Sequence, residues 1–386
     1  MTLPASTPCW FDSSEAGAPT LNNAAGSLLE VLRSCLINGF GAVSVTSIVV
    51  ASGVATVTAA THGFSAAYGK LVLIEGAPVS ELNGRKRIGN VLTNTFTFPA
   101  PGVADGTYTG TISAKRAPLG WAETHTGTNI AIFASTAPEA RPNSLRVDDS
   151  GSASMSRWVG IPTASITDLN TYSGEFPSSA QVSGGAYVQR GGTNNATPKA
   201  WVVAGDDRGF YFAAECNTGP VFLINWFGDF ESFYEGDAGG TLLATQTTTA
   251  VSNSPSWGLA TGTNIATNPT VNVGCYAPRG VLLAETAPAL QSITGAPGNA
   301  NQSGSTQYQN AGIYANPVIQ DLVYVISTGP CIRGRLPGLA WLLANGTTTG
   351  FGDRQVVAAG SKQFLHLPTR TAAQTAHHCI RLDGWR

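Results

Sequence analysis

The chain has 386 residues, a formal net charge of −2 and a pI near 6.2, so no global field draws it to nucleic acid or to an anionic membrane. Charged residues are 11%, against roughly 25% in ordinary soluble domains. Hydrophobic residues are 42%, which excludes a disordered chain, and no run of 18 apolar residues exists to span a membrane. Contact cores between proteins are depleted of charge in the same way. The composition therefore fits a neutral Ser/Thr/Asn-rich surface or, more sharply, burial in a large assembly.

The N-terminus, MTLPASTPCWFDSSEAG, has no basic or apolar leader region, so no signal peptide is expected. In LNNAAGSLLEVLRSCLINGFG, Asn22 or Asn23 can cap a helix and Asn38-Gly39 can stop it. Leu28, Val31, Leu32, Cys35 and Leu36 fall on one face at helical spacing. That stripe packs either on its own β domain or on a neighbouring subunit. With Trp10 and Phe11 of the arm, these residues form the candidate interface.

Residues 44–116 read as a small β unit. Ser47–Ala51 and Val54–Ala59 are split by the hairpin signal Ser52-Gly53. Lys70–Glu75, Arg85–Val91, Thr95–Phe98 and Thr107–Ser113 follow, which suggests a small barrel or sandwich. The main unit begins after Ala117-Pro118-Leu119. Its anchor is Trp201–Tyr234, which holds ten aromatic residues. There, Phe210–Ala214 and Val221–Trp226 read as an antiparallel pair closed by Asn217-Thr218-Gly219-Pro220. Residues 244–315 are polar, with strands expected at Val271–Tyr276 and Arg279–Leu283 and a long loop at 295–312. Asp321–Ser327 reads as a strand, and Gln355–Ala358 with Lys362–Leu367 as a final hairpin. The expected fold is mainly β: an arm and helix over 1–43, a small β-barrel over 44–116 and a larger β-sandwich-like unit over 117–386.

Reactive chemistry is sparse. The six cysteines, Cys9, Cys35, Cys216, Cys275, Cys331 and Cys379, form no C-x-x-C and read as buried thiols. His377-His378-Cys379 alternate faces on a strand, so they do not share a metal ion easily. Asp148-Asp149 and Asp206-Asp207 could be paired catalytic carboxylates, but the first Asp of a turn more often accepts backbone hydrogen bonds. Arg85-Lys86-Arg87 is the only tight basic run, a weak signal for nucleic acid. Neither a phosphate loop nor a nucleophile elbow occurs. Trp158, Tyr172, Trp257 and Tyr308 sit in polar surroundings and are the candidates for stacking on sugar. Asn195, Asn301 and Asn345 begin glycosylation sequons that carry little weight without a secretory signal. No cofactor or metal is expected.

Gly53-x-x-x-Val57-Thr58, His62-Gly63-Phe64, Gly69-x-x-Val72-x-Ile74, Leu82-Asn83-Gly84 and Phe96-Thr97-Phe98 together resemble the FCCH-like β module found in tail and other virion proteins of tailed bacteriophages. The resemblance implies that His62 is structural. Trp10-Phe11-Asp12-Ser13-Ser14-Glu15, Phe227-Gly228-Asp229-Phe230, Arg333-Gly-Arg-Leu-Pro-Gly-Leu339 and Ile380-Arg-Leu-Asp-Gly-Trp385 are similar to a family of phage virion proteins. It implies a non-catalytic structural part of the particle, in tail, neck or baseplate, with copies of itself and other virion proteins as partners. A module binding a host-surface glycan, a head decoration protein and a tail-associated polysaccharide hydrolase are the other readings.

Overall fold

The computed structural model describes residues 2–151, 155–191, 196–215, 222–235, 237, 239–245, 274–279, 289–290, 292–294, 318–320, 324–326, 332–343, 353–370 and 375–385. The fold is mainly β, with several antiparallel sheets and, among the described residues, one α-helix. The arm strand β1 (Cys9–Asp12) comes first, then α1 (Ser27–Arg33), which continues as one wider π-type turn over Ser34–Asn38. Gly39, at φ 68°, ends it where Asn38-Gly39 predicted a stop.

Eight short strands follow: β2 (Val43–Val45), β3 (Ser47–Ala51), β4 (Val54–Thr58), β5 (Leu71–Glu75), β6 (Gly84–Arg87), β7 (Thr95–Pro99), β8 (Gly106–Tyr108) and β9 (Ile112–Arg116). They form two four-stranded sheets, β2-β9-β5-β6 and β7-β4-β3-β8, around one core containing Ile48, Val57, Ile74, Phe96 and Phe98. This is an open two-sheet sandwich, not the closed barrel expected. The reason lies near Gly110, at φ 148°. The single closing strand expected at Thr107–Ser113 breaks there, leaving β8 in one sheet and β9 in the other. Ser52 and Gly53, both at positive φ, make the tight turn their dipeptide predicted.

Strands β10 (Trp121–Thr126), β11 (Ile130–Ser135), β12 (Asn143–Asp148), β13 (Met155–Pro162) and β14 (Ala186–Gln189) make a five-stranded antiparallel meander. It packs on a twelve-stranded sheet against β15 (Trp201–Gly205), β16 (Gly209–Glu215) and β17 (Phe222–Asp229). In the β16/β17 ladder Phe210 faces Phe227, which gives the antiparallel pair expected at the anchor; its turn at 217–220 lies outside the described residues. Gly209 stands opposite Gly228 for a steric reason. A Cβ on Gly209 would come within 2.5 Å of the Trp226 ring.

The remaining strands are β18 (Glu231–Ser232), β19 (Thr241–Thr245), β20 (Gly274–Ala277), β21 (Ala289–Leu290), β22 (Ser292–Thr294), β23 (Val318–Gln320), β24 (Tyr324–Ile326), β25 (Ile332–Arg335), β26 (Leu339–Leu343), β27 (Val356–Ala359), β28 (Lys362–Arg370) and β29 (Thr375–Arg381). Strands β18, β25, β24 and β22 form a separate small sheet. The large sheet runs β1-β15-β16-β17-β28-β29-β26-β23, and β17 meets β28 through one parallel pair, Phe222 and Thr369. A second core collects the other face of β15, β16 and β17 with residues from the C-terminal strands. There, Tyr211 and Trp226 pack on Trp385, and the Tyr211 hydroxyl donates to the Pro337 carbonyl at 2.7 Å.

Candidate functional site

A cluster of charged side chains, most of them buried, lies where three parts of the chain meet. Strand β1 ends at Asp12, and the turn behind it is closed twice. The Asp12 N–H donates to Glu15 Oε1 at 3.0 Å, and the Ser14 N–H donates to Asp12 Oδ1 at 2.8 Å. Lys70, just before β5, lies over the Trp10 ring at 3.2 Å and donates to Asp12 at 2.9 Å and Glu15 at 2.6 Å. Arg116, at the end of β9, pairs with Glu15 and donates to the carbonyls of Ala16 at 2.9 Å and Gly63 at 2.7 Å. Arg354, held at φ 54° before β27, approaches Asp12 at 3.6 Å. Burial would raise the Asp12 carboxyl, but the Lys70 ammonium and the bonds from Lys70 and Ser14 hold it below its ordinary value. Both carboxylates are thus committed to cations. The arrangement is chemically a clamp: it ties the arm, the small sandwich and the C-terminal hairpin together.

Two further buried pairs act likewise. The Asp149 carboxylate pairs with Arg190 and accepts the N–H groups of Leu28 at 2.9 Å and Leu29 at 3.4 Å. Helix α1 is therefore capped from a distant loop, not by Asn22 or Asn23; the Asn22 side chain accepts from Ala24 instead. Arg333 forks onto Asp237 at 2.8 and 2.7 Å and donates to the carbonyls of Arg279 and Gly239.

The seven candidate-interface residues lie inside the chain. Leu28, Val31, Leu32, Cys35 and Leu36 are fully buried, Trp10 is 4% and Phe11 2% exposed, and all seven lie in the chain's own cores. The arm is itself a strand of the large sheet, with Cys9 opposite Gly205. The signal for this was the unbroken apolar run Cys9-Trp10-Phe11, which suits a strand buried on both faces.

The other singled-out residues that are described are buried or half-buried as well. Trp158 is fully buried against Phe210 and Phe212, so it offers no surface to a sugar. Tyr172 is half-buried beneath Arg146, while Trp257 and Tyr308 lie outside the described residues. So do Cys216, Cys331, the sequon asparagines Asn195, Asn301 and Asn345, the loop 295–312 and residues 280–283 of an expected strand. Asp206 accepts the N–H groups of Arg208 and Gly209, both at 2.9 Å, as a turn residue. The basic run is absorbed as well. Arg85 donates to the carbonyls of Ala5 and Thr7, Lys86 to that of Glu81, and Arg87 stacks on Tyr68. His62 stacks on Phe64, meets Phe96 edge to face and accepts the Phe64 N–H. Cys379 and His378 are buried on successive positions of β29, and no group of His, Cys, Asp or Glu among the described residues is arranged to hold a metal.

What the described surface does present is an uncharged sheet face. Outward positions of β7, β4, β3 and β8 align in rows: Thr97, Thr56, Val49 and Thr107 in one, Pro99, Val54 and Ala51 in the next. Val49 is 41% and Val54 45% exposed, and none of these four strands carries an Asp, Glu, Lys, Arg or His side chain. Leu92, in the loop before β7, is 69% exposed. No helix among the described residues is long and apolar enough to cross a membrane. The chain matches no protein-family model, and no curated protein matches it.

Proposed function

We propose that this chain is a non-enzymatic structural component of a tailed-phage particle. It works as one copy in a symmetric ring or cluster of the tail, neck or baseplate, with copies of itself and other virion proteins as partners. The observation that carries the structural role is the Thr/Val face of β7-β4-β3-β8: solvent-facing and free of charged side chains in a chain that is only 11% charged. Such a face loses little desolvation energy when covered, because it has no charge to strip of water. The placement in a phage particle rests on the motif resemblance. In this reading the arm and helix brace the chain internally, and lateral contact falls to the small sandwich.

The test is the double substitution Val49→Lys with Val54→Lys. Sedimentation of the purified wild-type chain should show a species heavier than 39.8 kDa, while the variant should stay monomeric with an unchanged melting temperature. Particles made with the variant should lack the protein. A wild-type chain that stays monomeric at high concentration and is absent from particles would sink the proposal, as would turnover of a polysaccharide by the purified chain.

A further inference from the structure

We propose that the seam between the five-stranded meander and the large sheet contains an internal hydration site, one or two ordered waters held by Trp158, Asn225, Thr245 and Tyr276. These side chains are 0%, 0%, 0% and 1% exposed. Each carries a buried polar atom without a hydrogen-bond partner among the described residues: Trp158 Nε1, Asn225 Oδ1, Thr245 Oγ1 and Tyr276 Oη. Asn225 does use its amide nitrogen, donating to the carbonyls of Phe212 at 3.2 Å and Leu223 at 3.3 Å. Its oxygen is the group left over.

The strand registers bring the four together. Asn225 stands opposite Phe212, and the Trp158 ring lies 6.0 Å from the Phe212 ring. Trp226 stands opposite Ala244, so the same antiparallel register carried one step along sets Asn225 against Thr245. Leu243 stands opposite Tyr276, and Leu243 shares a face of β19 with Thr245. That face belongs to the core with Phe212, Phe227 and Trp158, whereas Ile224, Trp226 and Ala244 point into the other core.

The donors and acceptors identify the occupant. The seam offers an indole N–H, two hydroxyls that can donate or accept, and one carbonyl oxygen. Water accepts two hydrogen bonds and donates two. It can accept from Trp158 and Tyr276 while donating to Asn225 and Thr245, which satisfies all four groups. An ion has no counter-charge among them, and an apolar guest would leave every one unpaired. Buried polar atoms in native proteins are almost always partnered, and buried waters typically bind about three of them.

The test is a crystal structure of the full chain at a resolution that shows ordered water, with thermal midpoints of Tyr276→Phe and Thr245→Val. Solvent density within about 2.7–3.2 Å of at least three of the four atoms is expected. Removing a water-bonded hydroxyl should lower the midpoint in both variants. A seam without solvent density overturns the proposal. Two variants melting at or above the wild type would do so too, since deleting an unpaired hydroxyl relieves its desolvation penalty.

Discussion

The Asp149 carboxylate accepts the Leu28 N–H at 2.9 Å across 121 positions of sequence, so helix α1 takes its cap from the end of a meander strand. The same carboxylate neutralises the fully buried Arg190. Asp149→Ala should therefore remove a cap and leave a buried guanidinium unpaired. A cost of about 3–5 kcal/mol is expected, read from the denaturant midpoint. Asp149→Asn keeps an acceptor for the helix and should lose less. Equal losses in the two variants would show that the cap contributes nothing.

Removal of residues 1–20 tests the clamp. It deletes β1, exposes the edge of β15 and strips Lys70 and Arg116 of Asp12 and Glu15. An unpaired strand edge invites association, and buried cations without partners are costly. The truncated chain should be insoluble or molten by near-UV circular dichroism. Glu15→Ala alone should lower stability by about 3–5 kcal/mol. A truncated chain with native melting behaviour would remove the clamp from the account.

The cap and the clamp bear on what the sequence made legible. Local signals transferred well: Ser52-Gly53 made its turn, Asn38-Gly39 ended the helix, and Phe210–Ala214 paired with the next aromatic run. Each depends on neighbours within a few residues. The helical stripe also formed, but periodicity says only that a face is buried, not by what. Here it was buried by the chain itself. The pairing of β1 with β15 and the bonds of Asp149 to α1 and Arg190 join segments far apart in sequence, and no local pattern encodes such a partner. Trp158 misled for a related reason: polar neighbours in sequence did not prevent the alternation of β13 from turning its ring inward.

Acid should destabilise the fold through Asp237. Burial would raise that carboxyl, but the Arg333 fork, the Ser232 hydroxyl and the Gly239 N–H hold it below its ordinary value of 3.8. A depressed carboxylate contributes stability that is complete above the unfolded value and is lost as pH falls through the folded one. Asp149 and Asp353 run the other way. Burial raises both above the ordinary value, with Arg190 and Arg354 offsetting only part, so they resist acid instead of adding to the loss. Denaturant midpoints from pH ~5 down to ~2 should fall in the wild type, and fall less steeply in Asp237→Asn, though that variant starts lower. Parallel slopes in the two proteins would remove Asp237 from the acid limb.

Thiol chemistry gives the last test. Cys9, Cys35, Cys275 and Cys379 are free and fully buried. Desolvation raises all four, Cys379 to about 12, although Arg85 and Lys70 offset part of the effect at Cys9. The thiolate is the reactive form, so burial suppresses reaction both by access and by ionisation. Of the six cysteines in the chain, no more than two, Cys216 and Cys331, should react with a disulfide reagent in the native protein at pH 8. The four buried thiols should react only as the protein unfolds, with the rate following the loss of near-UV signal across denaturant. Rapid native labelling of Cys9 or Cys35, mapped by mass spectrometry, would mean that the arm leaves the large sheet readily, and the clamp would then be weaker than its ion pairs imply.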